Sequence, residues 1–375
     1  MKLFDVYPLY DITPMRGEGA YVFDEENNKY LDLYGGHAVI SIGHSHPAYV
    51  KAINDQVKKL GFYSNSVKNP LQQELAEKLG KVSGVKDYSL FLCNSGAEAN
   101  ENALKLASFH TGKEKVVYFE KSFHGRTSGV VAVTDNESIK STFNKGHQVV
   151  KLAFDDTEAL ENTLKNKDIA AVIFEVIQGV GGLDEANNEF YQKASELCKK
   201  YGALLIADEV QSGYGRTGDF FAFQKHEIRP DIISIAKGMG NGFPVGGILI
   251  DNKIEAKFGL LGTTFGGNHL ACAAGISVLD IIKKEQLLKN AKSLFDYVKE
   301  EAAKIPQIKK VKGRGLMIGL EFDFEIAQLR KDLLFKHQVF TGAASNKKLL
   351  RILPPLNIKK EHFDVFFRAL KTALK

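Results

Sequence analysis

The sequence predicts an α/β protein built on a mainly parallel sheet, with a second, smaller α/β unit. Three observations carry this. From about Ala48 helical and strand patterns alternate, which is the rhythm of βαβ units. The strand segments are almost continuously apolar, as strands covered on both faces must be. After Gly275 the pattern changes to a long lysine-rich helix, two strands and a closing helix.

Taken in order, the N-terminal part is rich in turns. Tyr21-Val22-Phe23 and Tyr30-Leu31-Asp32-Leu33 read as short strands around the Glu26-Asn27-Asn28 turn, followed by Gly35-Gly36-His37 and the loop Gly43-His44-Ser45-His46-Pro47. Two histidines at alternate positions suggest a metal site, but no third ligand stands nearby, and a structural loop is the better account. Helices are predicted from Ala52 to Lys59 and from Leu71 to Lys81, then a strand at Ser89–Leu92, a helix from Glu98 to Phe109, and strands at Val116–Phe119, Gly129–Val133 and Val149–Leu152. A helix at Thr157–Lys165, a strand at Ala170–Phe174, a helix at Glu189–Tyr201 and a strand at Ala203–Ala207 continue the alternation. Ile232–Ile235 is a further buried strand. The last part reads as a helix through about Lys304, strands near Val311 and from Leu316 to Phe322, and a helix from Glu361. This divides the chain into an N-terminal segment, 1–47, that packs with the small domain, a large domain, 48–272, and a small domain, 273–375.

Composition sets the boundaries. With 375 residues and 44% hydrophobic content the chain can bury a full core and suits two domains. No apolar run is long enough to span a bilayer, and Met1–Tyr10 lacks the character of a signal peptide, so the expected location is the cytoplasm. The cysteines Cys93, Cys198 and Cys272 are far apart, which suits a reducing compartment and offers no metal framework. The net charge of +5 comes from scattered lysines without a basic stripe, which excludes a nucleic-acid case and suits anionic small molecules.

In such a sheet ligands sit outside the carboxyl ends of the strands, so the loops after strands are where chemistry is sought. Lys237 stands at the end of Ile232–Ala236, before Gly238-Met239-Gly240-Asn241-Gly242. Partly removed from water, its amine loses a proton more readily and can attack a carbonyl. A lysine whose stem packs while its ammonium reaches solvent explains the stretch equally well. Asn94 to Asn100 follows a strand and opens a helix; Ser95 with Glu98 makes a capping box, and the same free N–H groups would bind a phosphate that Gly96 lets approach. Asp208 closes the strand Leu204–Ala207, where a buried carboxylate needs a cationic partner, such as a protonated pyridine nitrogen, or caps a turn. Gly213-Tyr214-Gly215-Arg216-Thr217-Gly218 matches GxGxxG, but it neither follows a strand directly nor opens a phosphate-binding helix, so it is not a dinucleotide fingerprint. No P-loop motif occurs.

Lysine, strand-end aspartate and phosphate-accepting helix together describe a holder for pyridoxal 5'-phosphate. With the stretches Arg16–Gly19, Gly43–Pro47, Asn94–Asn100, Phe123-His124-Gly125-Arg126, Asp208–Gly218, Lys237 with its glycines, and Thr263–Asn268, the chain resembles the class III aminotransferases over nearly its whole length, most closely the acetylornithine branch.

The resemblance implies fold type I, with a mainly parallel seven-stranded sheet in the large domain. It implies transfer of the distal amine of N-acetylornithine or another N-acylornithine to 2-oxoglutarate, giving the semialdehyde and glutamate, in arginine biosynthesis. Lys237 would bond to the cofactor and then carry the proton. Asp208 would keep the ring nitrogen protonated, Phe123 and Val210 would cover the ring faces, Gln211 would lie near the ring hydroxyl, Gly96 and Ala97 would hold the phosphate, and Thr264 would reach it from a second subunit of a homodimer. Arg126, helped by Tyr7, would clamp the acylornithine carboxylate, and Arg351 that of glutamate and 2-oxoglutarate. Thr263, Glu175 and His37 would line the substrate site. Neither a metal nor a nucleic-acid or membrane partner is implied.

Alternatives are another ω-aminotransferase, for succinylornithine, ornithine or 4-aminobutyrate, a non-transaminating enzyme of the same cofactor, or a non-catalytic binding protein. Three positions depart from the family pattern: Val180 stands where it has glutamate, His37 where acetylornithine enzymes have an aliphatic residue, and His269 where it has proline.

Overall fold

The computed structural model describes residues 1–375. Strands β1 (Pro14–Glu18), β2 (Tyr21–Asp24) and β3 (Lys29–Asp32) form an antiparallel meander. Asn27 adopts φ 64° in the β2–β3 turn, where Asp24 accepts the Glu26 and Asn28 N–H groups; asparagine tolerates this region and aspartate closes the turn. The next turn, α1 (Gly35–Ala38), is left-handed, with φ of 55°, 56°, 66° and 64°. His37 and Ala38 are strained there, since a Cβ crowds the carbonyl in that conformation.

Helix α2 (Pro47–Lys59) opens with proline in its first turn and the His46 side chain as cap, and α3 (Pro70–Ser83) opens with Asn69-Pro70 and stops at Gly84, φ 81°. The alternating part follows: β4 (Tyr88–Cys93), α4 (Gly96–Thr111), β5 (Lys115–Phe119), α5 (Ser128–Ala132), β6 (Val149–Leu152), α6 (Thr157–Leu164), β7 (Ile169–Phe174), α7 (Asn188–Tyr201), β8 (Leu204–Asp208), β9 (Ile232–Ile235) and β10 (Gly246–Asp251). The seven strands lie in the order β4-β10-β9-β8-β7-β5-β6, with only β10 running against its neighbours. Strands β7, β8 and β9 are buried at every position, which is why their sequences are apolar without alternation.

Three points of the sequence reading need correction. Gly129–Val133 is not a strand: the helix α5 occupies it, with Glu101 accepting the N–H groups of Gly129 and Val130 and the Thr127 hydroxyl. A short run buried on all sides has no period to distinguish the two states. Strand β10 was not foreseen, because it begins with two glycines. Those are required by close approach: a Cβ on Gly246 would lie 2.8 Å from the Ser95 carbonyl oxygen, and one on Gly247 would lie 2.6 Å from that of Phe91.

The single long helix is two, α8 (His269–Lys284) and α9 (Leu287–Ala302), separated at Gln286, φ 52°. Helix α8 packs on α2 and α3. The rest comprises β11 (Lys310–Arg314), β12 (Met317–Glu321), α10 (Ala327–His337), β13 (Val339–Phe340), β14 (Gly342–Ala343), β15 (Leu349–Ile352) and α11 (Lys360–Ala373). Of these α10, β13, β14 and β15 were not predicted.

One sheet has the order β11-β12-β15-β14, and β13 adds in parallel to β3, joining the N-terminal segment to the C-terminal part. No helix is long and apolar enough to cross a membrane.

The segment after α1 is pinned to the Lys237 turn by Asn241, which is buried. Its Oδ1 accepts the N–H groups of Ser41 and Ile42, at 2.8 and 3.0 Å, and its Nδ2 donates to the Gly43 carbonyl at 3.0 Å. Asn241→Ala is expected to destabilise the chain by about 1–3 kcal/mol, the cost of leaving buried backbone groups without partners. Urea unfolding checks this, and a midpoint equal to that of the parent chain refutes it.

Candidate active site

The carboxyl ends of β4, β8 and β9 open on one cavity of about 410 Å³. Lys237, Asp208, Val210, Gln211, Phe123, Arg126, Gly96, Ala97, Glu175 and Val180 line it together, although they are spread over 142 positions between Gly96 and Lys237. Lys237 follows β9 and sits at φ 44°, an unusual conformation for a residue with a side chain. Its amine faces the cavity and has no hydrogen-bond partner in the protein. Burial pushes its pKa down, opposed by the negative charges of Asp208 and Glu175 and aided by Arg351. That is the direction a nucleophilic amine requires.

Asp208 is 4% exposed, at the end of β8. Its Oδ2 accepts from His124 Nδ1 at 2.7 Å and from Asn100 Nδ2 at 2.7 Å, while Oδ1 accepts only the Val210 N–H at 3.0 Å. One oxygen is thus fully engaged, and the other keeps a lone pair free beside the cavity. Neither His124 nor Asn100 was singled out from the sequence, although both lie inside quoted motifs. Asn100 also donates to the His124 carbonyl at 2.9 Å, which ties α4 to the loop after β5. Glu209, next in the chain, plays no part in the cavity. Its carboxylate accepts from Ser212 Oγ and the Phe223 N–H, and burial raises its pKa to about 7.

At the start of α4 the Ser95 hydroxyl accepts the Glu98 N–H at 3.1 Å. The reciprocal bond of the predicted capping box goes instead to the Asn94 N–H, at 2.7 Å from Glu98 Oε2. The cap does not compete with a phosphate, because capping leaves the N–H groups of Gly96 and Ala97 free on the cavity wall. A Cβ on Gly96 would lie 2.6 Å from Val210 Cγ1, so this glycine is needed for the helix to approach the strand-end loop.

These residues fit pyridoxal phosphate. Free N–H groups at a helix N-terminus suit its phosphate, and the open oxygen of Asp208 suits a protonated ring nitrogen. The buried Gln211 Oε1, which has no donor in the protein, suits a ring hydroxyl.

The predicted substrate residues are not all brought together. Arg126 is exposed at the cavity wall. Arg351, on β15, is 3% exposed; its Nε donates to the Ala343 carbonyl and a terminal nitrogen to the Gly179 carbonyl at 2.7 Å. With Val180 in place of a carboxylate, backbone oxygens meet this charge. Glu175 acts on it only through its charge and makes no hydrogen bond to it, since its two oxygens accept the Phe123 and Gly179 N–H groups. Glu175 therefore shapes the turn after β7 and is not a free carboxylate for substrate. Burial raises its pKa.

His37 stands beside Tyr34, with ring centroids 4.7 Å apart, and its carbonyl accepts from Gln211 Nε2 at 3.2 Å. Although the residue is exposed in the single chain and does not line the cavity, partial desolvation with the charges of Arg351 and Lys237 lowers its pKa to about 4. Tyr7 is 73% exposed and is not at the cavity of its own chain. Thr263 bonds Asn94 and the Gly266 N–H instead of lining the cavity, and Thr264 is exposed. His269, in the proline position, starts α8 behind the Asn268 cap. His44 pairs with Asp32, and His46 with Glu285. Val39, Gly242, Phe243, Pro244 and Val245 also line the cavity and carried no signal in the sequence beyond following the lysine turn.

The family model for class III aminotransferases matches residues 6–374. The acetylornithine aminotransferase of Aquifex aeolicus is 41% identical over 99% of both chains, and that of Bacillus subtilis is 39% identical over 100% of this chain and 97% of its own. Among solved structures, the ornithine aminotransferase of Toxoplasma gondii ME49 is similar with a TM-score of 0.91 at 29% identity, covering 98% of this chain and 91% of that one. The acetylornithine aminotransferase of Elizabethkingia anophelis has a TM-score of 0.84 at 32% identity, covering 98% and 94%. The chain belongs to the class III aminotransferases.

Asn100→Ala removes a hydrogen bond to the Asp208 carboxylate. It should weaken cofactor binding by about 1.5–3 kcal/mol, the range for bonds to charged groups. Titration of the stripped enzyme with pyridoxal phosphate checks this, and unchanged affinity refutes it.

Proposed function

We propose that this class III aminotransferase moves the distal amine of an N-acylornithine, N-acetylornithine foremost, to 2-oxoglutarate, with glutamate and the semialdehyde as products, in the cytoplasmic synthesis of arginine. The observation that carries the reading is the half-buried amine of Lys237, without a hydrogen-bond partner in the protein, in one cavity with Asp208, free helix N–H groups and Arg126. Pyridoxal phosphate, when bound, supplies a ring that withdraws electrons from the substrate carbon. The chain's own residues do the rest.

Asp208, its far oxygen engaged by His124 and Asn100, keeps one carboxylate oxygen available and would stabilise a proton on the ring nitrogen. Gly96 and Ala97 would hold the phosphate through backbone N–H groups, Phe123 and Val210 would cover the ring, and Gln211 would offer an acceptor to its hydroxyl. Lys237, its pKa lowered, can hold a proton or release it within the cavity, which suits a base that moves a proton at the substrate carbon. A planar guanidinium grips a carboxylate through two bonds, so Arg126 suits the acylornithine carboxylate and Arg351 that of glutamate. His37, neutral beside Arg351, adds a hydrogen-bonding group without a competing charge.

A homodimer belongs to the same reading. Exposed Phe62, Phe258 and Phe265 support a covered face, and Thr264, exposed in the single chain, would reach the phosphate of the second copy. Tyr7 has no support of this kind. The three cysteines are free and buried, in keeping with a reducing compartment.

Borohydride reduction of the yellow holoenzyme, followed by peptide mapping, should place the cofactor on Lys237, and Lys237→Ala should bind cofactor yet lose turnover by several orders of magnitude. A protein that takes up no pyridoxal phosphate, or a Lys237→Ala variant of near-normal activity, ends the reading. Arg126→Ala should weaken the acylornithine half-reaction by about 1.5–3 kcal/mol, the range for hydrogen bonds to charged groups, and the glutamate half far less. Equal damage to both halves would mean that the clamps are not separate.

Val180→Glu sets a carboxylate near Arg351, where only backbone oxygens now meet the charge. The apparent KM for glutamate should rise, because the guanidinium must first be released, while the acylornithine half-reaction is kept or improved. An unchanged glutamate KM with collapse of the acylornithine half would assign Val180 to the acyl pocket instead.

A further inference from the structure

The Gly-Tyr-Gly-Arg-Thr-Gly stretch, excluded as a nucleotide loop, holds a cation of its own. Arg216 is 2% exposed and has no carboxylate in hydrogen-bonding reach. One terminal nitrogen donates to the Leu316 carbonyl at 3.2 Å and to the Pro354 carbonyl, and the other to the Ile40 carbonyl at 3.3 Å. Its own carbonyl accepts the Leu316 N–H at 2.8 Å. A buried guanidinium without a paired carboxylate is costly unless its donors are met; three of its five N–H groups have these carbonyls, and burial, opposed by the charge of Asp32, lowers its pKa to about 9. Such an arrangement persists when the three acceptors are held in place.

The three acceptors lie on separate parts of the chain. Ile40 follows the left-handed turn that carries His37. Leu316 is in the turn between β11 and β12, and Pro354 stands three residues beyond Arg351. Arg216 itself lies five residues after Gln211.

The loop and the small-domain turn meet backbone to backbone: a Cβ on Gly315, φ 55°, would lie 2.4 Å from the Thr217 carbonyl carbon and 2.7 Å from the Arg216 oxygen. The same junction is closed by Leu353 N–H on the Leu33 carbonyl and Leu356 N–H on that of Ser41, both at 2.7 Å. By contrast Asp208 and Lys237 are fixed by the central sheet, which Arg216 does not touch.

We propose that Arg216 is a positioning residue that fixes the strand bearing Arg351 against the cofactor loop, and so sets the affinity for the dicarboxylate amino acceptor without taking part in cofactor binding. This rests on the reading of Arg351 as the clamp for 2-oxoglutarate. Lysine cannot replace it, because a single ammonium cannot serve acceptors on three diverging segments with a planar fork's geometry.

The test measures the two half-reactions separately on the holoenzyme for Arg216→Lys, Gly315→Ala and, as a control, Arg351→Lys. Arg216→Lys should raise the apparent KM for 2-oxoglutarate about tenfold or more with kcat nearly kept, the signature of lost uniform binding. The cofactor absorbance, cofactor affinity and acylornithine half-reaction should stay unchanged, a split that general loss of fold would not produce. Gly315→Ala parts the two backbones with Arg216 intact and should give the same acceptor-selective rise, which keeps the proposal testable if Arg216→Lys does not fold. An unchanged KM for 2-oxoglutarate in a folded variant, or equal losses in both half-reactions, overturns it. If Arg351→Lys leaves 2-oxoglutarate unaffected, it is the clamp assignment that fails, and a KM rise in Arg216→Lys alone then points to another acceptor contact on the same strand.

Discussion

The structure depends on a buried carboxylate and a half-buried amine at the ends of neighbouring strands. Asp208 and Lys237 end β8 and its immediate neighbour β9, and each would be costly to bury alone. Asp208 is stabilised by His124, Asn100 and the Val210 N–H, which fixes its orientation before any ligand arrives. Lys237 is left without a hydrogen-bonding partner, in a strained backbone conformation and with a lowered pKa. The asymmetry is functional: one group is held still to stabilise a charge, and the other is kept free to react.

The two arginines solve a different problem. Arg126 is exposed and ready for an anion from solvent, whereas Arg351 is buried and must be satisfied when no substrate is present. Carbonyls of Gly179 and Ala343 do this, and because backbone oxygens carry only partial negative charge they solvate the guanidinium without neutralising it. The same device appears at Arg216. In both places a cation is stabilised by backbone from different segments, so its position reports how those segments are assembled.

Assembly of the site is therefore a matter of three bodies meeting. The central sheet carries the cofactor groups, the β11-β12-β15-β14 sheet carries Arg351, and the N-terminal segment, anchored through β3 to β13, threads between them. Ser41 to Gly43 illustrate the junction: Asn241 of the lysine turn holds one side of this segment, and Leu356 and Asn357 hold the other.

The alternating pattern of strands and helices, the strand-end positions of Lys237 and Asp208 and the helix start at Ser95 were legible in the sequence, because apolar periodicity and caps are local and each of these groups sits where its own segment puts it. The run 129–133 was misread as strand, β10 was hidden behind two glycines, and the long helix concealed the break at Gln286. In each case the deciding contact lies elsewhere: Glu101 for α5, the Ser95 and Phe91 carbonyls for β10, and packing on α2 and α3 for α8. Likewise the sequence offered His124 and Asn100 only as letters within motifs, and Glu175 as a partner for substrate or arginine. Only the fold decided that the first two hold Asp208, that Glu175 is consumed by the backbone, and that Arg351 and Arg216 rest on carbonyls, because carbonyl oxygens occur at every residue and a sequence cannot say which of them will be near.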